Sequence, residues 1–166
     1  MKITPKMLVR VALFAALSIL FGKFLAFNIG EWFRLSFESL PILLCGYIFG
    51  PLGGLLCGVV ADLVGCLLRG YAINPIITLG AATVGALAGL FGKHGVLAKP
   101  RLWLSVSTAH FCGSMVLKTL GIYVFYAQPP TQLILRIPTY IVIAAVEYAL
   151  LRILLAHKGF SKLMEN

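Results

Sequence analysis

The sequence predicts an all-α integral membrane protein: a bundle of six transmembrane helices, residues 1–166 forming one transmembrane domain with both termini cytoplasmic. Three observations carry this reading. Of 166 residues 60% are hydrophobic and only 11% charged, with a mean hydropathy of +0.99, whereas an ordinary soluble domain is about 25% charged. Seventeen Gly and eight Pro are interspersed, as in membrane helices that pack closely or break near a site. A span needs about 20 residues, so the length admits at most about seven spans, and five or six once loops are subtracted.

The first span is expected over about residues 8–27, behind Lys2, Lys6 and Arg10. This start resembles a signal peptide, but Phe24 and Phe27 stand where small residues would be needed for cleavage, so an uncleaved span is expected. The polar stretch Asn28 to Arg34 ends it. Residues 39–61 are uncharged and could form one span, yet Gly50-Pro51-Leu52-Gly53-Gly54 sits in the middle and favours a turn between two shorter helices. Further spans are expected at about 74–92, 102–126 and 133–156, the last two separated by Gln128-Pro129-Pro130.

Charge decides between five and six. With six spans, the N-terminus, the 50–54 turn, the 93–101 loop and the C-terminus share one side, which collects nine of the 14 cations. Five spans would put Lys93, Lys99, Arg101, Arg152, Lys158 and Lys162 outside, against the positive-inside rule. The second helix, about 37–50, is then only about 21 Å long, which bilayer thinning or burial among neighbours must accommodate. The formal +9 charge thus sets orientation in the lipid bilayer; the basic run of a nucleic-acid surface is absent.

Five cations remain for the outer side: Lys23, Arg34, Arg69, Lys118 and Arg136. Ionisable groups within a membrane usually face a bundle interior or a wet cavity, so their convergence suggests an anionic ligand. Lys23 and Arg69 can equally snorkel to headgroups; the aromatic and Pro neighbours of Arg34 and Arg136 favour the ligand. Glu31 and Glu38 flank Arg34 and can pair with it. Asp62 and Glu147 lie within spans and need partners. His110 reads as an interior histidine, not a metal ligand, and Cys45, Cys57, Cys66 and Cys112 read as small apolar residues, so no metal site is expected.

Small residues recur at four-residue spacing in Ala12 with Ala16, Gly54 with Gly58, and Ala82 with Ala86. Such pairs permit close helix approach, either within the bundle or to a partner; Ala12, Ala16, Ala82 and Ala86 are the candidate docking residues. Catalytic and cofactor motifs are missing. A P-loop ending at Gly92-Lys93 would need Gly at 87 and Ser or Thr at 94, where Leu87 and His94 stand. No Gly-x-Ser-x-Gly elbow occurs. ATP-driven work would have to be supplied by a partner.

Arg34-Leu35-Ser36-Phe37, Leu40-Pro41, Phe49-Gly50-Pro51-Leu52-Gly53-Gly54, Gly58-Val59-Val60-Ala61-Asp62-Leu63-Val64-Gly65 and Asn74-Pro75-Ile76-Ile77-Thr78-Leu79, in that order, resemble the substrate-binding S component of an energy-coupling factor (ECF) vitamin transporter, of the folate type. The basic first helix with Ala12 and Ala16 fits the same pattern. The resemblance implies six helices in the cell membrane and an outward-facing site for folate or a related anionic vitamin, roofed by the loop after the first helix. It further implies docking on a transmembrane coupling subunit driven by two ATPase subunits, and no enzymatic activity or cofactor of its own. By position, Arg34 matches the family's Arg before Ser-Phe, and Arg136 its Arg opening the last helix. Ser36, Phe37, Asn74 and Lys118 complete the expected substrate-binding set. One departure is Lys118-Thr119-Leu120-Gly121 in place of Asn-Thr followed by Trp-Leu, which removes a stacking indole and adds a charge. Two other readings remain open: an S component for a different vitamin, and a membrane-embedded enzyme using Asp62, His110 and Glu147.

Overall fold

The computed structural model describes residues 4–24, 26–29, 33–92, 99–127, 134 and 136–156. Helix α1 spans Pro5–Phe24. It buries Met7, Val11, Ala15, Ser18 and Gly22, a stripe at spacings of three and four, and leaves Leu8, Val9, Leu13, Leu17 and Leu20 exposed. In water such a face would be unsatisfied; in a bilayer it meets lipid. The all-α expectation needs one amendment here. Strands β1, Ala26–Ile29, and β2, Phe33–Ser36, form an antiparallel hairpin that pairs Ala26 with Ser36 and Asn28 with Arg34, so this connection carries its own backbone hydrogen bonds.

Helix α2, Ser39–Arg69, is interrupted at Gly50, whose φ of 75° and ψ of −173° lie in a region essentially restricted to glycine. Pro51 follows, with no N–H to lose at a helix start. The chain reverses there: the Cys45 thiol donates to the Gly53 carbonyl at 3.5 Å, whereas eight residues of continuous helix would separate the two by about 12 Å. The turn expected between two shorter helices is therefore present. Every residue from Ser39 to Tyr47 is buried, so the short first arm is accommodated among its neighbours.

Helix α3, Pro75–Gly92, lies against both arms. A Cβ added to Gly54 would strike the carbonyl of Gly85, one on Gly85 that of Gly54, and one on Gly89 the Gly50-Pro51 peptide. Helix α4, Lys99–Ala109, passes into a π-helical segment, His110–Lys118, and then into α5, Thr119–Tyr126. Helix α6, Arg136–Ala156, completes the bundle. Helices α1, α2, α3 and α6 are each long and apolar enough to cross a bilayer. Leu43, Cys45, Cys57, Val84, Ala88, Val106 and Leu151 form the centre of the core.

Backbone contact at the α2–α3 seam sets a stability test. Gly85→Ala should lower the unfolding temperature sharply in detergent, because overpacking costs about 1–3 kcal/mol or more. Gly65→Ala, whose Cβ would meet nothing nearer than Ile19 at 3.9 Å, should be neutral or slightly stabilising through helix propensity.

Candidate functional site

A cavity of about 540 Å³ opens at one end of the bundle, a size suited to a drug-sized molecule. Its walls come from the C-terminal half of α1, the strand end at Ser36, the ends of both α2 arms far from Gly50, the connection at Tyr71 and Asn74, the start of α3, the π segment with α5, and Arg136, Thr139, Tyr140 and Ile143 of α6. The reversal at Gly50 is what allows Ser39 and Arg69, the two ends of α2, to line the same space. Among the described residues, three cations, Arg69, Lys118 and Arg136, and two carboxylates, Glu38 and Asp62, line it, together with the rings of Tyr71, Tyr126 and Tyr140.

Each charge has local support. Lys118, 9% exposed, donates from Nζ to Glu38 Oε1 at 3.1 Å. Glu38 is itself held where the hairpin meets α2: the Ser18 hydroxyl donates to its backbone carbonyl at 2.6 Å, and Ser36 Oγ lies 3.5 Å from its Oε2. Glu38 Oε2 and Arg69 Nη2 reach the same point over Gly22, where a Cβ would lie 2.9 and 2.8 Å from them. Asp62 accepts from Thr78 Oγ1 at 2.6 Å. Arg136 donates to the Tyr140 hydroxyl one turn on, with its guanidinium carbon 5.3 Å from that ring's centroid. The π segment presents His110, Ser114 and Lys118 inward at four-residue steps, all buried. Such wide turns often occur at functional sites.

Of the expected binding residues, Ser36, Asn74, Lys118 and Arg136 line the cavity. Arg34 pairs with Asn28 in the hairpin backbone, and its side chain lies outside the described residues, as does Glu31. Phe37 is half-buried between β2 and α2, where its carbonyl accepts from the Leu40 N–H at 3.2 Å, and it is not among the lining residues. Asn74 serves the architecture: Oδ1 accepts from the N–H groups of Ile76 and Ile77 at 3.0 and 3.4 Å, and Nδ2 donates to the Gly121 carbonyl at 2.9 Å. Glu38, considered as a partner for Arg34, is the partner of Lys118.

Ala12 and Ala16 are exposed on α1, and Ala86 is half-buried. Ala82 corrects the docking expectation: it is 4% exposed, and its backbone nitrogen lies 2.9 Å from where a Cβ on Gly58 would sit, so it packs inside the bundle. Asp62, His110 and Glu147 do not converge. Asp62 faces the cavity, whereas His110 Nε2 and Glu147 Oε2 pair with each other at 2.7 Å. Tyr140 escaped the sequence reading, although its place four residues after Arg136 on one helix face is a readable signal.

The chain matches the family described as "ECF transporter, substrate-specific component" over residues 6–157. It is 34% identical over 85 residues to an uncharacterized MG313 homolog of Mycoplasma pneumoniae; the match covers 51% of this chain and 30% of the relative's length. Its fold is that of FolT in the crystal structure bound with folic acid, with a TM-score of 0.75 at 23% identity, covering 89% of this chain and 90% of that one.

Asn74→Ala should cost about 2–3 kcal/mol of stability, since it removes both a helix cap and a buried hydrogen bond. Thermal unfolding of the purified variant, compared with Ser36→Ala, should show the larger drop for Asn74.

Proposed function

The chain belongs to the family of ECF transporter substrate-specific components, and on that premise we propose that it captures folate or a related anionic vitamin at the outer face of the membrane. It is a multi-pass membrane protein and a transporter subunit, not an enzyme. In this reading the bundle crosses the membrane six times with both termini cytoplasmic. All cavity walls come from the end that holds the hairpin, the 70–74 connection and the start of α6, and the positive-inside rule makes that end external.

The observation that carries the ligand assignment is the grouping of Arg69, Lys118 and Arg136 around one cavity in an apolar bundle. Lys118 is buried and Arg69 and Arg136 are half-buried, and three cations facing two carboxylates leave an excess positive charge, which an anion offsets. Glu38 already occupies Lys118, so Arg136, with Arg34 on the hairpin, is assigned to a ligand carboxylate, which a guanidinium fork can hold in a bidentate pair. The binding set is Arg34, Ser36, Lys118 and Arg136, with Asn74 shaping the wall and Phe37 supporting it from outside the lining. Tyr71, Tyr126 and Tyr140 offer rings to an aromatic ligand, in place of the indole missing after Lys118. Folate is favoured because FolT, whose fold this chain shares, was crystallised with folic acid. A different anionic vitamin is the second reading, favoured by that same missing indole and the added Lys118.

Calorimetric titration with folate tests the site. Arg136→Ala and Arg34→Ala should each weaken binding by about two to three orders of magnitude, since removing one partner of a buried charge pair costs about 3–5 kcal/mol. Near-native affinity in both would assign these cations to the membrane interface.

Transport is proposed to require a transmembrane coupling subunit and two ATPase subunits, with the exposed Ala12–Ala16 face of α1 as the docking surface and Ala86 as a subsidiary candidate. Replacing Ala12 and Ala16 by Leu should abolish uptake into cells while the purified protein still binds folate, because close helix approach tolerates no added volume. Uptake that survives both changes would leave this face to lipid.

A further inference from the structure

We infer that His110 and Glu147, which lie outside the cavity lining, are positioning residues that hold Arg136 on the ligand by way of the Tyr140 ring. The pair joins the π segment to α6 deep in the bundle, with His110 3% and Glu147 0% exposed. Stability alone is a weak reason for such a pair. Buried ionisable pairs are often replaceable by apolar residues of similar volume without loss of stability, and ionisable residues inside a membrane are rare and usually tied to function. Moreover, the pair is incompletely satisfied: His110 Nδ1 and Glu147 Oε1 are buried without a partner among the described residues.

What the pair touches indicates its role. The His110 ring lies 6.4 Å from the Tyr140 ring, tilted by 36°. Tyr140 in turn receives the hydrogen bond from Arg136 and carries its guanidinium 5.3 Å from the ring centroid. A continuous path, Glu147 to His110 to Tyr140 to Arg136, therefore runs from the bundle centre to a cation on the cavity wall. Arg136 is half-buried on α6, and its long side chain has many rotamers, so ordering it costs conformational entropy. A Tyr ring fixed from behind limits those rotamers before the ligand arrives, which is the effect of preorganisation on affinity. Glu147 holds the His110 ring through Nε2, as a carboxylate orients an imidazole in other sites.

This inference rests on the reading that Arg136 meets a ligand carboxylate, and the test separates the two. The affinities of folate and of its diamide, in which both carboxylates are neutralised, are measured by calorimetry for wild type, His110→Ala, Arg136→Ala and the double variant, with thermal unfolding of each. His110→Ala should weaken folate by about tenfold, within the range of coupling between contacting residues, while the diamide is little changed. In the Arg136→Ala background it should cause no further loss. His110→Gln, which keeps an N–H for Glu147, should restore the preference for folate over the diamide. Equal losses for both ligands, or the same loss in the Arg136→Ala background, would reduce the pair to a structural role and overturn the inference. Unchanged folate affinity in Arg136→Ala alone would instead overturn the ligand reading itself. Should His110→Ala fail to fold, Tyr140→Phe takes its place, because it keeps the ring against the ligand and removes only the hydroxyl that accepts from Arg136; the same selective loss is expected, and a uniform loss would contradict the inference.

Discussion

Helix α3 is in backbone contact on two sides, and the rest of the molecule depends on that constraint. On one side Gly85 and Gly89 meet Gly54 and the Gly50-Pro51 turn of α2; on the other Gly80 meets Gly113 and Lys118 of the π segment. Lipid supplies no hydrophobic force between helices, so close van der Waals packing of small residues has to hold them. That packing fixes the relative height of the groups it carries on the cavity wall: Asp62 and Arg69 on α2, Asn74 at the head of α3, Lys118 beyond Gly113. One side chain placed in either seam would separate walls that must meet around a single ligand.

The charged groups follow from the same geometry. Polar atoms buried in an apolar bundle must find partners, and most of them do so across elements distant in sequence: Lys118 with Glu38, Asp62 with Thr78, His110 with Glu147, Tyr47 with Ser105. These bonds also unite function with architecture. Glu38 joins the hairpin, α1 and the π segment, so a change at the mouth of the cavity is felt at the cation inside it.

Much of this was legible in the chain. Gly50-Pro51 announced the reversal because the backbone there needs a conformation only glycine tolerates and a residue that can open a helix without an N–H. The cations left over from the expected cytoplasmic loops announced the cavity because charge is scarce in so apolar a sequence, and Arg69, Lys118 and Arg136 do line it. The pairing of those charges was not legible: the partner of Lys118 lies 80 residues away, and proximity in sequence pointed instead from Glu38 to Arg34. Four-residue spacing of small residues likewise cannot tell an internal seam from a docking face, which is why Ala82 proved to be internal while Ala12 and Ala16 are exposed. Asn74 looked like a ligand contact because its position, not its hydrogen bonds, could be read. The hairpin was hidden by its shortness, four residues a strand, inside a stretch whose polarity read as a loop.

The central claim is that the cation-rich cavity at the hairpin end of this bundle holds an anionic vitamin. Native mass spectrometry of the protein purified from folate-fed cells tests it most directly. The account requires a one-to-one complex that releases folate, or another carboxylate-bearing vitamin, on collisional activation. A neutral molecule in its place, or protein that remains empty when saturated with folate and other carboxylate-bearing vitamins, would contradict it.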